Sequence, residues 1–298
     1  MKVLVIGGVA AGTKAAAKIK RQNRGAEVKI LTQSADISYA GCGLPYYVGG
    51  MIESREELIV NTPEKYTGLT GVEVVTRCEV TSVNFQAKTV TALCQGQTWL
   101  ESYDKLVIAT GATPFVPQVE GIRLPGVFTM RTPDDAIALR AYVQDRHCRS
   151  AVVVGAGFIG LEIAENLQAQ GLAVTVIDAA DQILPKIFDP EMAGYARRRL
   201  RQNGIRVLTG TPLSEITGTE RADGVLAGGS RIGADLVVLA IGIRPATTFL
   251  NGSGLAMEKG DGIDGQHYRA GFSLYDDWNG NAIRRLSGHR RRALGRRL

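Results

Sequence analysis

The sequence predicts an α/β protein of two Rossmann-like, three-layer lobes, and two observations carry that prediction. A short apolar strand, a glycine-rich turn, a helix and a second strand occur at the start of the chain and again 148 positions later (155 minus 7). The length, 298 residues with 45% hydrophobic content, is enough for about two domains, each with its own core.

In the first unit the apolar run Lys2–Ile6 reads as a strand, Gly7-Gly8-Val9-Ala10-Ala11-Gly12 as the turn, and the alanine-rich stretch to about Arg24 as a helix. Glu27–Leu31 supplies the second strand and completes a βαβ unit, the context in which such a turn becomes a credible dinucleotide site. Glycines allow close backbone approach to a pyrophosphate, and a helix N-terminus offers free amides and the positive end of its dipole. Gly7, Gly8, Ala10, Ala11 and Gly12 are therefore candidate cofactor contacts, with FAD the expected ligand. Two positions depart from the usual pattern: Val9 replaces the middle glycine, and Thr32, not an acidic residue, follows the second strand. Taken alone, this unit also fits a turn that only packs helix on strand.

The second unit is complete. Residues 151–154 form a strand, Gly155, Gly157 and Gly160 keep all three glycine positions around Ala156, Phe158 and Ile159, and a helix runs to about Gln170. Asp178 follows the strand Ala173–Ile177, 23 residues after Gly155. A carboxylate there accepts hydrogen bonds from a ribose 2′-hydroxyl and repels a 2′-phosphate, which favours NADH over NADPH.

Between the units, residues 73–100 read as short strands broken by turn residues, and Lys105–Ile108 as an apolar strand ending in Ala109-Thr110-Gly111. Proline and glycine thicken over residues 114–125, as expected where a chain crosses between lobes. After the second unit come a charged helix, Pro190–Gln202, and an apolar strand over residues 234–241 ending in Gly242-Ile243-Arg244-Pro245. Beyond Ile263 the periodicity fails and arginines crowd the chain. Of the formal net charge of +6, residues from 263 onward supply +5, eight arginines against three aspartates. The basic balance thus belongs to the tail, and nucleic-acid binding by the body of the protein is not expected. With no apolar run of the length of a membrane span, no membrane association is expected either.

The four cysteines, Cys42, Cys78, Cys94 and Cys148, show no CxxC spacing and no histidine cluster. That excludes the common zinc patterns and a dense disulfide framework, so no metal is expected and a cytoplasmic location fits best. Cys78, Cys94 and Cys148 read as structural. Cys42 differs, lying among glycines just after the first nucleotide unit, where a helix can begin. Helix N-termini raise the thiolate fraction of a cysteine, which makes Cys42 the candidate redox nucleophile. A buried, inert thiol is the alternative that its residue type alone leaves open.

The segment Ser38-Tyr39-Ala40-Gly41-Cys42-Gly43-Leu44-Pro45-Tyr46-Tyr47 resembles the active-site segment of the single-cysteine flavoprotein disulfide reductases, the group of coenzyme A disulfide reductase, NADH oxidase and NADH peroxidase. Gly7 to Gly12, Ala109-Thr110-Gly111, Gly155 to Glu162 and Ala240 to Pro245 match other marks of that family in order and spacing, so the resemblance runs from residue 1 to about 263. It implies an FAD domain (residues 1–113) interrupted by an NAD(P)H domain (114–240), with the FAD domain resuming over 241–263. It also implies that electrons pass from NADH through FAD to Cys42, which cycles through a disulfide with coenzyme A or through a sulfenic acid. Glu162 matches a position near the nicotinamide in relatives. Thr32, Thr110, Gly111 and Gly242 complete the implied cofactor contacts.

The resemblance further implies that Lys14, Lys18, Arg21 and Ser38 contact coenzyme A. Lysine and arginine on one helix edge suit phosphates, though the same spacing describes any solvated helix face. An oxidase or peroxidase would cycle Cys42 between thiolate and sulfenate, with oxygen or peroxide as acceptor. Such relatives use a histidine near the flavin, and no histidine precedes Cys42 here; the three in the chain are His147, His267 and His289. A small-molecule disulfide is thus the favoured substrate. Relatives continue past the equivalent of Gly262 with a strand, a Gly-Asp segment that holds the flavin, and an interface domain that makes a homodimer. Residues 264–298 match none of these and read as an unrelated basic frame. A monomeric chain without the interface domain is the expectation, and an inactive nucleotide-binding remnant is the alternative of a different class.

Overall fold

The apolar runs of the first unit become strands covered on both faces. The computed structural model describes residues 1–255 and the strand Ser273–Tyr275. β1 (Lys2–Ile6) is buried from Val3 to Ile6, as in parallel sheets flanked by helices. α1 (Ala10–Gln22) crosses back to β2 (Glu27–Leu31), which lies parallel to β1 in the register Lys2 to Glu27 through Ile6 to Leu31. A 3₁₀ turn, Gly41–Gly43, leads into α2 (Leu44–Val48), followed by α3 (Arg55–Leu58) and α4 (Pro63–Thr70). Thr62 caps α4 by accepting the Lys65 amide, Pro63 occupies the first turn where its missing N–H costs nothing, and Gly71 ends the helix in the left-handed conformation. β3 (Glu73–Val75) then joins β2.

The chain next makes an antiparallel meander of β4 (Cys78–Asn84), β5 (Thr89–Cys94) and β6 (Gln97–Ser102) before β7 (Lys105–Ile108) returns beside β1. The meander shows how two of the cysteines read as structural are placed: the hairpin register sets Cys78 and Cys94 directly opposite each other, where they pair as a disulfide.

β8 (Ala112–Pro114) leaves the first lobe. β9 (Val127–Phe128), α5 (Pro133–Asp145), β10 (Ser150–Val154), α6 (Phe158–Ala169), β11 (Ala173–Ile177), α7 (Pro190–Gln202) and β12 (Arg206–Leu208) begin the second. An antiparallel trio, β13 (Leu213–Gly218), β14 (Ala222–Ala227) and β15 (Ser230–Gly233), precedes β16 (Leu236–Leu239). The second sheet is wholly parallel, in the order β12-β11-β10-β16-β9. β17 (Ile243–Pro245) then pairs antiparallel with β8, so departing and returning chains cross side by side. Sequence patterning finds no element beyond residue 263, yet β18 (Ser273–Tyr275) lies antiparallel against β7. The arginine runs 284–285, 290–292 and 296–297 and the boundary expected at Gly262 lie outside the described residues. Among the described residues, no helix is long and apolar enough to cross a membrane, and no group of three His, Cys, Asp or Glu side chains could hold a metal.

Each main sheet is covered on both faces, which gives the three layers. In the first lobe one core joins the sheet to the α1 and α4 side, and another joins it to the meander. The second lobe has a core against α5, α6 and α7 and another against the antiparallel trio. The core shared with α5 and α6 also contains Leu44, Val48 and Leu58. The helix that follows Cys42 therefore buries its apolar face in the second lobe, although its sequence lies inside the first.

Asp235 joins the starts of β16 and β10. Its carboxylate accepts the amides of Arg149 (2.8 Å) and Ser150 (2.9 Å) and the Ser150 hydroxyl (2.9 Å). Burial alone would push its pKa up, but these bonds and the Arg221 charge outweigh it and hold the carboxyl below the usual aspartate range. A depressed folded pKa contributes stability above the unfolded value, roughly pH 4, that is lost as pH falls through the folded value. Asp235→Asn is expected to cost about 1 kcal/mol at neutral pH, a figure kept small because the group is exposed. Urea denaturation checks this: the gap between variant and parent should narrow steadily as pH falls below roughly 4, and a gap that does not change with pH would show that ionisation of Asp235 is not its source.

Candidate functional site

The first glycine loop is shaped by close backbone packing. Gly7 has φ +108°, and a Cβ on it would lie 2.2 Å from the Ala109 carbonyl oxygen; one on Gly12 would lie 1.8 Å from that of Gly7. These contacts set α1 tightly on β1 and β7. Val9, at the position of the missing middle glycine, is the N-cap of α1 and takes extended backbone angles that any residue adopts. Ala10 and Ala11 open the helix, with Ala10 exposed. Thr32 is buried and held by its backbone: its amide donates to Val75 and its carbonyl accepts from Cys78. Lys14, Lys18 and Arg21 are all exposed on α1, and the buried Tyr66 hydroxyl anchors that helix by donating to the Thr13 carbonyl at 2.5 Å.

The second loop repeats the geometry with its middle glycine in place. A Cβ on Gly155 would lie 2.3 Å from the Ala240 carbonyl oxygen, and one on Gly160 would lie 1.9 Å from that of Gly155. A Cβ on Gly157 would meet nothing within 4 Å. Gly155 and Gly160 are thus required by the protein's own packing, whereas Gly157 faces open space at the start of α6. Phe158 and Ile159, beside it, are large apolar residues left exposed. Asp178 ends β11, and its two carboxylate oxygens accept the Ala156 amide (2.6 Å) and the Ala180 amide (2.8 Å). A carboxylate has about four acceptor sites, so Asp178 is oriented by the loop with capacity to spare. Glu162 lies half-buried on α6, its carbonyl accepting the Asn166 side chain.

Cys42 is exposed in the middle of the 3₁₀ turn, and a Cβ on its neighbour Gly41 would also meet nothing within 4 Å. The loop leading to it is tied on two sides. Ser38, in the left-handed region at φ +51°, donates its amide to the Gly8 carbonyl (2.9 Å) and accepts the Val60 amide (3.1 Å). Its hydroxyl accepts the Asn61 side chain at 3.4 Å. The structure therefore ties Ser38, four residues before Cys42, to the first glycine loop. Thr110 and Gly111 follow β7, where a Cβ on Gly111 would again find open space, and Gly242 accepts the Phe115 amide at 2.8 Å beside the crossing strands. Cys148 is a different kind of thiol, half-buried with its pKa pushed up by burial and then by Asp235.

Sequence reading missed the charged groups around this loop. Arg131 donates to the Thr110 carbonyl at 3.3 Å, and its charge partly offsets the rise in the Tyr39 pKa that burial causes. Asp36, buried, pairs with Arg55 at 2.5 Å. Neither arginine stands in a motif, and each meets its partner only through the tertiary fold.

Fold and site together define an α/β protein with two strand–glycine turn–helix units and an exposed cysteine that follows a loop bonded to the first of them. A model of the family described as "pyridine nucleotide-disulphide oxidoreductase" matches residues 1–269. The chain belongs to that family. It is 38% identical over 248 residues to an NADH oxidase of Methanocaldococcus jannaschii, covering 82% of this chain and 55% of the relative. It is 37% identical over 244 residues to a CoA-dependent NAD(P)H sulfur oxidoreductase of Pyrococcus furiosus, covering 82% and 54%. Among solved structures, an NAD-dependent persulfide reductase from A. fulgidus aligns with a TM-score of 0.84 at 36% identity, covering 87% of this chain and 49% of that one. The chain spans about half the length of the curated relatives it matches.

Proposed function

We propose that the chain carries the nucleotide-binding and cysteine-bearing part of an NADH-dependent flavoenzyme that reduces coenzyme A disulfide or a related persulfide through Cys42. The observation that carries this reading is the placement of Cys42, exposed in a turn whose leading loop is bonded directly to the first glycine loop. That loop, with Thr110 and Gly111, would hold FAD, and open space at Gly41 and Gly111 fits a ligand there. The second loop, Gly155 to Gly160 with Glu162, would hold NADH. Its fit rests on Gly157, whose missing side chain serves no packing need of the protein, and on Asp178, whose fixed carboxylate disfavours a 2′-phosphate. FAD, when bound, supplies two-electron transfer between the nicotinamide and sulfur.

The protein's own groups supply the rest. Lys14, Lys18 and Arg21 present exposed cations on the helix that starts at the first loop, suited to the phosphates of coenzyme A, and Ser38 offers a hydroxyl four residues from the nucleophile. A second reading, oxygen or peroxide as acceptor with Cys42 cycling through a sulfenate, is supported by the relative named NADH oxidase.

The test is to load the protein with FAD, reduce it anaerobically with NADH, and compare coenzyme A disulfide, peroxide and air as oxidants. Bleaching of the visible flavin band followed by reoxidation with coenzyme A disulfide at least about tenfold faster than with the other two is expected. Faster reoxidation by peroxide or air would establish the second reading. A protein that stays colourless with added FAD would leave neither.

A further inference from the structure

We propose that Arg140, on α5 of the second lobe, is a positioning residue for the Cys42 turn. The proposal rests on the reading of Cys42 as the redox group. One guanidinium nitrogen of Arg140 donates to three carbonyls of the segment after Cys42, those of Tyr47 (3.2 Å), Ile52 (3.1 Å) and Glu53 (3.2 Å). The same guanidinium lies over the Tyr47 ring, 4.7 Å from its centroid. A helix leaves its last carbonyls without partners, and a cation there satisfies them and complements the dipole.

α2 is only five residues long, about 7.5 Å at the helical rise per residue, so a clamp at its end acts close to its start. Its first residue, Leu44, closes the Cys42 turn by donating to the Gly41 carbonyl. Two further contacts, from α6 and the residue that caps its C-terminus, secure the same place. The Gln170 side chain donates to the Gly49 carbonyl at 2.5 Å, and the Asn166 side chain packs so closely on Gly49 that a Cβ there would lie 2.1 Å from it. With Leu44 and Val48 buried in the second-lobe core, the cysteine turn is indexed to the lobe that carries the second glycine loop. Thiol geometry thereby follows the position of that lobe, and Arg140 is the polar contact that spans the most of the segment.

The test uses Arg140→Met, which keeps a long unbranched side chain but removes the donors, and Arg140→Lys, whose ammonium carries three donors for the three carbonyls. In the full chain loaded with FAD, three rates are read: alkylation of Cys42 by iodoacetamide, followed on its peptide by mass spectrometry; NADH-driven reduction of coenzyme A disulfide; and NADH-driven reduction of ferricyanide, which needs no cysteine. Arg140→Met is expected to raise Cys42 alkylation about fivefold and to lower disulfide turnover about tenfold, with ferricyanide reduction and the KM for NADH unchanged. Arg140→Lys should stay within about twofold of the parent in all three. Unchanged alkylation in Arg140→Met, an equal effect of both variants, or a parallel loss of ferricyanide reduction would overturn the proposal. A parent that reduces ferricyanide but not coenzyme A disulfide would instead refute the acceptor assignment, and the alkylation rates alone would then decide the role of Arg140.

Discussion

Cys42→Ser is expected to lose NADH-driven reduction of coenzyme A disulfide by at least about a thousandfold, while NADH-driven ferricyanide reduction stays within about twofold. The chemistry of the proposed step explains the size of the effect. The Cys42 thiolate attacks one sulfur of the disulfide, forming a Cys42–coenzyme A mixed disulfide and releasing one coenzyme A thiolate. Two electrons from NADH then cleave that mixed disulfide, and a proton accompanies the second thiol released. Serine can neither ionise usefully near neutral pH nor form the sulfur–sulfur bond, so the reaction has no route. Because Cys42 is exposed, stability should change by less than about 0.5 kcal/mol, so lost turnover is not lost fold. A serine variant that still reduces coenzyme A disulfide at the parental rate would sink the assignment of Cys42. If instead the oxygen or peroxide reading holds, a sulfenate trap such as dimedone should label the parent at Cys42 after peroxide, and the serine variant not at all.

The parts of the site that could be read in the sequence are those in which physics restricts the residue type. Gly7, Gly12, Gly155 and Gly160 sit where a Cβ would lie 1.8 to 2.3 Å from a carbonyl oxygen, so no other residue fits without moving backbone, and the spacing announces itself. The buried parallel strands are legible for a similar reason, since covering both faces demands unbroken runs such as residues 3–6 and 151–154. Contacts that many residue types could supply left no such trace. Nothing about Leu44 and Val48 tells that they pack on α5 and α6, because five residues are too few to show a helical period. Arg131 and Arg140 are two of many arginines, distinguished only by the carbonyls the fold brings to them. Cys78 and Cys94 stand 16 residues apart, a separation without a motif, and only the β4 to β5 register pairs them. Asp178 lies between these cases: its place after a strand was legible, but not the two loop amides that orient it.

The second loop offers a comparison in which one methyl group should have opposite effects at positions three residues apart. Gly160→Ala is expected to destabilise the protein by about 3 kcal/mol, because its Cβ would lie 1.9 Å from the Gly155 carbonyl oxygen and 3.3 Å from the Ala240 Cβ, and neither neighbour can swing aside. Relief requires α6 to lift from β10 and β16, and urea denaturation should register that directly. Gly157→Ala should change stability by no more than about 0.5 kcal/mol, since its φ of −81° suits alanine and no protein atom lies within 4 Å of the new methyl. Its expected effect is on the ligand, with NADH affinity falling at least about tenfold as the methyl enters the space a pyrophosphate would use. The first loop supplies an internal control. Val9 occupies the matching N-cap of α1 with a side chain in place, so the backbone of such a turn tolerates one, and a loss of affinity on Gly157→Ala is chargeable to the nucleotide rather than to the fold. Isothermal titration with NADH separates the outcomes: parental affinity in Gly157→Ala would mean that the second loop does not cradle the pyrophosphate.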